Sequence, residues 1–301
     1  MPEHSFSHAL FWNNPALSLC FFALAMSFIS FWVRKTAWLW GSFLLIAYLL
    51  ALNAKIAHWI SLIPILILLF CHYLLTKEIQ KSARFLLFGT ATLISFALLF
   101  HFMPGFNNWN VVSNLALSPD AYPYSLWLNF DSPFIGMFAL AFSIPLISSR
   151  TQLFKVMKTA IPLSLLGILI MIGFALHFNV VKWDFKIPVI FFIWFISNLI
   201  FVVIPEEAFF RGFVQQEICR WFGKHSLAGL GSIIITSLMF TLIHVIWVAD
   251  VSFLAAVFLA SVIYGIIYQI TSSIEASILC HFGLNLIHFL FFSYPALSVL
   301  K

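Results

Sequence analysis

Long apolar runs broken by short polar turns set the pattern of this chain. They fall at about 15–33, 37–53, 57–75, 85–103, 134–149, 160–178, 187–204, 227–246, 252–270 and 275–293. A helix that crosses a bilayer needs about 20 mainly apolar residues, fewer where flanking groups snorkel. The pattern therefore predicts an all-α, polytopic membrane bundle of about ten transmembrane helices. The range is eight to ten, because the shorter runs could pair as hairpins or lie partly in the interface.

Composition strengthens this reading. Of 301 residues, 63% are hydrophobic and 8% charged, with a mean hydropathy of +1.05. A soluble domain carries about 25% charged residues, so this chain cannot coat a globule in water. The start, MPEHSFSHALFWNNPALSLC, lacks a basic n-region and a small-residue cleavage pattern, and is expected to be retained. Cys20, Cys71, Cys219 and Cys280 are scattered in apolar surroundings without CxxC spacing. They read as small buried hydrophobes, not as a disulfide frame or a metal site.

Charge sets an orientation. With the N-terminus outside, the inner loops hold Arg34, Lys35, Lys77, Lys81, Arg84, Arg150, Lys155, Lys158, Arg211, Arg220 and Lys224. The outer side holds Lys55, Lys182, Lys186 and Lys301, a split of 11 to 4 that places both ends outside under the positive-inside rule. The net charge of +5 is thus a matter of topology. Without a basic run interleaved with aromatics, no nucleic-acid partner is expected. The longest connection, about 104–133, has no Lys or Arg, and its Trp109, Tyr122, Tyr124 and Trp127 suit an outer interfacial cap.

No internal repeat or low-complexity tract is evident, and the unusual chemistry falls late. Residues 1–184 read as a transmembrane scaffold, and residues 185–295 as the core that carries reactive groups. An ionisable side chain at membrane depth costs about 2.5–3.5 kcal/mol on insertion scales, so each one is a functional candidate. Three short segments hold the candidates: PEEAFFRGF, FTLIH and HFGLN.

In the first, Pro205 either opens a helix, where its missing N–H costs little, or kinks one long helix. Glu207 and Arg211 stand four apart on one face, acid first. Glu206 is turned about 100° from Glu207, so Glu207–Arg211 reads as an ion pair and Glu206 as free to face a cavity. The bland alternative is a solvated helix start. In the second segment, Phe240 and His244 share a face. In the third, His281 and Asn285 do, with His288 on the same side. Core hydrogen bonding is the alternative for each alone. Together, a carboxylate, two histidines and an asparagine can activate water and stabilise a tetrahedral intermediate. No serine or cysteine has an evident base partner, and the HExxH zinc signature is missing.

These segments, in this order, resemble the CPBP family of intramembrane proteases, which includes the CAAX endopeptidases and the Abi-type bacteriocin-processing proteins. The matches are Glu206-Glu207-Ala-Phe-Phe-Arg211, Phe240-Thr-Leu-Ile-His244 and His281-Phe-Gly-Leu-Asn285, together with the family-like tail Tyr264–Ser273, within about 185–295. The resemblance implies an intramembrane endopeptidase acting on membrane-associated or lipidated peptides. It implies Glu206 as the base that polarises water, with His244 assisting. His281 and Asn285 would stabilise the oxyanion, and Glu207, Arg211 and Phe240 would order the site. No cofactor is favoured, although Glu206, His244 and His281 would be the ligands of a divalent metal such as zinc. The expected setting is a bacterial plasma membrane, with the bilayer and a peptide or membrane-protein substrate as partners.

Two readings compete with the protease: a proton-coupled transporter using the same Glu and His groups, and a non-catalytic scaffold. One geometric difficulty stands. Upright, full-length spans place Glu206 and His281 near the inner ends of their helices and His244 near the outer end of its own. They meet only if the 227–246 span is tilted and set deeper, or if the helix through Pro205 runs on to about Trp221.

Overall fold

A computed structural model describes residues 14–33, 36–223, 226–246 and 248–298. The first 13 residues of the N-terminal lead-in, and Arg34, Lys35, Lys224 and Lys301 of the charge split, lie outside the described residues. The helices are α1 (Pro15–Val33), α2 (Ala37–Asn53), α3 (Leu62–Leu75, after a 3-10 turn at Trp59–Ser61) and α4 (Lys81–Leu99). A hairpin of β1 (Trp109–Leu115) and β2 (Tyr124–Leu128) comes next, then α5 (Phe134–Phe142) and α6 (Arg150–His177). Helix α7 runs over Phe191–Phe222, followed by α8 (Ser226–Leu242), α9 (Val251–Thr271) and α10 (Ile274–Phe291).

Every apolar run thus contains a helix, and the class is an all-α membrane bundle. Among the described residues, six helices are long and apolar enough to cross a bilayer: α1, α4, α6, α7, α9 and α10. The shorter α2, α3 and α8 reach 17 residues at most. Large side chains such as Leu93, Leu169 and Phe192 stand exposed on these helices, as a lipid-facing surface requires. Between helices, small polar groups close onto neighbouring carbonyls: Ser27 Oγ donates to the Trp40 carbonyl at 2.9 Å, and Cys20 Sγ to that of Ala47 at 3.2 Å. Cys20, Cys71 and Cys280 are buried and Cys219 half-buried, all as free thiols.

Three boundaries differ from expectation. The 134–149 run is helical only over Phe134–Phe142, because Pro145 disfavours helix at the preceding residue and lacks the N–H to continue it. This short helix is almost wholly buried, an internal strut where a full span was expected. Helix α6 begins at Arg150, ahead of its apolar run, because Ser149 caps it by accepting from the Gln152 N–H at 3.1 Å. The third and most consequential correction is that α7 does not stop at residue 204.

The 104–133 connection is more ordered than a loop. Its hairpin is irregular, with register shifts between Asn110 and Val112 and between Val112 and Leu115. The chain after α10 pairs with it, Tyr122 N–H donating to the Ala296 carbonyl at 2.9 Å and Ser298 N–H to that of Asp120 at 2.8 Å. Lys182 Nζ reaches Asp120 at 3.0 Å, and Asn107 donates to the Lys55 carbonyl at 3.0 Å. Two of the expected outer lysines therefore gather at this end. At the opposite end of α4, Arg84 holds Glu217 through two hydrogen bonds of 2.8 and 2.6 Å.

The root of the cap is tied by the buried Asp131, whose carboxylate takes His101 Nδ1–H at 2.7 Å just past α4. That hydrogen bond raises the His101 pKa against the effect of partial burial. A raised folded-state pKa means the contact stabilises fully below the unfolded value of about 6.5 and is lost as pH rises through the folded value. Melting curves across that window are expected to show the wild-type midpoint falling relative to that of His101→Gln. Parallel curves for the two proteins would refute the link.

Candidate active site

Helix α7 is continuous through Pro205. The proline offers no N–H to the ladder, and the helix absorbs this with wide π turns on either side, at Asn198–Val203 and Ala208–Gln215. A π turn closes i→i+5 in place of i→i+4, letting the ladder step past the missing donor, and such turns gather at functional sites. Gly136 of α5 allows the close approach that braces this point. A Cβ there would stand 2.7 Å from Pro205 Cα and 2.9 Å from Ala208 Cβ. Glu206 and Glu207 consequently lie at the middle of a 32-residue helix and not at a helix end.

The two acids have different surroundings. Glu207 and Arg211 are both fully buried, and Arg211 Nε lies 3.3 Å from Glu207 Oε2. The arginine is anchored further by Nη2, which donates to the Ser261 carbonyl at 3.1 Å and to its hydroxyl at 2.9 Å. Its guanidinium lies over the rings of Phe240 at 4.9 Å and Tyr264 at 5.4 Å. Glu207 Oε1 takes His281 Nδ1–H at 2.8 Å. Glu206 is 14% exposed, with its Oε2 at 4.0 Å from His281 Nε2. That separation is too long for a hydrogen bond, yet short enough for both groups to touch one bound molecule.

The histidines are oriented by what holds their Nδ1 atoms. His281 Nδ1 faces a carboxylate, and His244 Nδ1 faces the Phe240 carbonyl at 2.9 Å. Both partners only accept, so both Nδ1 atoms carry hydrogen and both Nε2 atoms are left for chemistry. Phe240 packs between the two rings, 4.8 Å from His244 and 5.9 Å from His281. Tyr264 stacks on His281 at 4.6 Å and 15°.

Glu206, Glu207, Arg211, Phe240, His244 and His281 therefore form one cluster. Asn285 lies one turn along α10 and donates to Asn198 Oδ1 at 3.2 Å, while His288 turns away to the Ser293 carbonyl at 3.0 Å. Glu207 does more than the expected pairing with Arg211, since it also orients His281. Tyr264, Ser261 and Asn198 escape the sequence reading. Asn198 had a visible signal as a polar residue inside an apolar run, and Tyr264 lies in the tail Tyr264–Ser273. Ser261 had none. Among the described residues, no three His, Cys, Asp or Glu side chains converge into a group able to hold a metal.

The membrane bundle gathers buried and half-buried acids and histidines between its helices. Residues 188–287 match the family described as Type II CAAX prenyl endopeptidase Rce1-like. This region contains all three motif segments and is similar to the CAAX-protease (CPBP) family. No curated protein and no solved structure matches the chain.

Proposed function

We propose that the protein hydrolyses peptide bonds of membrane-associated or lipidated substrates with a water molecule activated by Glu206. The Glu206 carboxylate takes a proton from water as the oxygen attacks the scissile carbonyl carbon, and His244 Nε2 helps to hold that water. The carbonyl oxygen gains the negative charge. His281, when it carries a proton on Nε2, and Asn285 Nδ2–H donate to it. The intermediate collapses as the C–N bond breaks, and protonated Glu206 returns its proton to the leaving nitrogen. Glu207 and Arg211 keep His281 in place and take no proton.

The observation that carries this reading is the inequality of the acids: Glu207 is spent on Arg211 and His281, while Glu206 is partly exposed and free of hydrogen bonds. A cleft of about 470 Å³, lined by Gln215, Gln216, Cys219, Arg220, Tyr268 and Gln269, lies towards the Arg84–Glu217 end. With the opposite end capped by the hairpin, this supports substrate access from the inner face, in keeping with a bacterial plasma-membrane setting.

Purified protein in liposomes is expected to cut membrane or lipidated peptides, with cleavage lost in Glu206→Ala and His244→Ala. Cleavage that persists in both sinks the assignment, and proton flux without cleavage points to the carrier reading. Cleavage is expected to survive exhaustive chelation. Loss on chelation with recovery on added zinc would replace the water-and-carboxylate scheme by a metal-assisted one.

A further inference from the structure

Asn198 has no part in the scheme above, yet it touches the group that does. It stands eight residues ahead of Glu206, in the first π segment of α7. In an ideal α-helix that interval would turn it about 80° off the Glu206 direction. A π turn rotates each residue less, which brings Asn198 back towards the face that meets α10. There its Oδ1 accepts from Asn285 Nδ2 at 3.2 Å, with both residues partly buried.

A side-chain amide offers two N–H groups at one end and a carbonyl oxygen at the other. Its two ends are nearly the same shape, so packing alone does not choose between them. For Asn285 the choice matters: a nitrogen turned to the reacting carbonyl stabilises the oxyanion, whereas an oxygen there repels it. One N–H of Asn285 is taken by Asn198, which sets the plane of the amide and leaves the second N–H available. We infer that Asn198 is a positioning residue whose carbonyl oxygen holds the Asn285 amide with its nitrogen, not its oxygen, towards the oxyanion. This rests on the reading of Asn285 as an oxyanion donor. It adds a function for the π turn itself, which delivers Asn198 to that partner.

The test is a double-mutant cycle on the full-length protein in liposomes, with single-turnover cleavage of a membrane peptide and thermal midpoints for each variant. Asn198→Ala is expected to lower kcat by about tenfold to a hundredfold, the usual effect of removing an orienting partner, with KM little changed. In an Asn285→Ala background, Asn198→Ala is expected to add no further loss. Full activity in Asn198→Ala, alongside a defective Asn285→Ala, overturns the inference and leaves the oxyanion reading intact. Losses that multiply in the double variant, with a lowered midpoint in Asn198→Ala, assign Asn198 to the fold of α7 and also overturn it. Full activity in Asn285→Ala removes the oxyanion reading and the inference with it.

Discussion

Glu206→Gln is expected to cut peptide cleavage by about 10²–10⁴-fold, the span attributed to a positioned general base, while leaving the thermal midpoint within a degree or two of wild type (roughly the scatter of a neutral substitution). Glutamine keeps the size and one carbonyl oxygen of the acid but cannot take a proton from water. The fold is indifferent because Glu206 makes no hydrogen bond that holds a helix, and its contact with His281 Nε2 is a long 4.0 Å. KM is expected to change little, since the lost interaction belongs to the transition state. Cleavage within tenfold of wild type would move the base elsewhere in the site.

Glu207→Ala, one residue on, is expected to fail for a different reason. It leaves Arg211 charged, fully buried and without its carboxylate, a loss of about 3–5 kcal/mol for a buried pair broken on one side. It also removes the acceptor that sets His281 Nδ1. The two effects separate in the double variant Glu207→Leu with Arg211→Met. Replacing both partners of a buried pair by apolar groups of similar volume is often close to neutral. The double variant should therefore regain most of the lost thermal midpoint and stay inactive, because His281 remains unanchored. Recovered cleavage in that variant would show that Glu207 serves the fold alone, and an unchanged midpoint in Glu207→Ala would refute the buried pair.

Much of the cluster was legible before any tertiary structure. Glu207 with Arg211, and Phe240 with His244, are four apart, and helical geometry brings such residues together wherever the helix goes. The apolar runs located all ten helices of the described residues for a similar reason: twenty residues without charge have few other stable arrangements in a bilayer. The break after Phe142 was also legible, since Pro145 stands inside the run, although the run was read through it.

Contacts across helices were not legible at that level. His281 lies 74 residues from Glu207, and either adjacent acid could have met it by spacing. The choice came from the rotation of α7. Ser261 beneath Arg211 is a small polar residue with no local mark of its role, 50 positions away. Asn285 choosing Asn198 depends on how a π turn rotates one helix against another.

By itself, the sequence determined a membrane-embedded helical bundle, the three segments that hold the reactive groups, and the intrahelical pairs within them, all consequences of hydrophobic length and helical period. The tertiary structure alone decided that PEEAFFRGF lies inside a helix and not at its end. Pro205 permits either a helix start or a passage through it, and local sequence does not discriminate. Packing does: α5 presses Gly136 against Pro205, the flanking turns widen to absorb the missing N–H, and Glu207 and Arg211 bury their charges on α9 and α10. The helix continues because those partners stand alongside its middle.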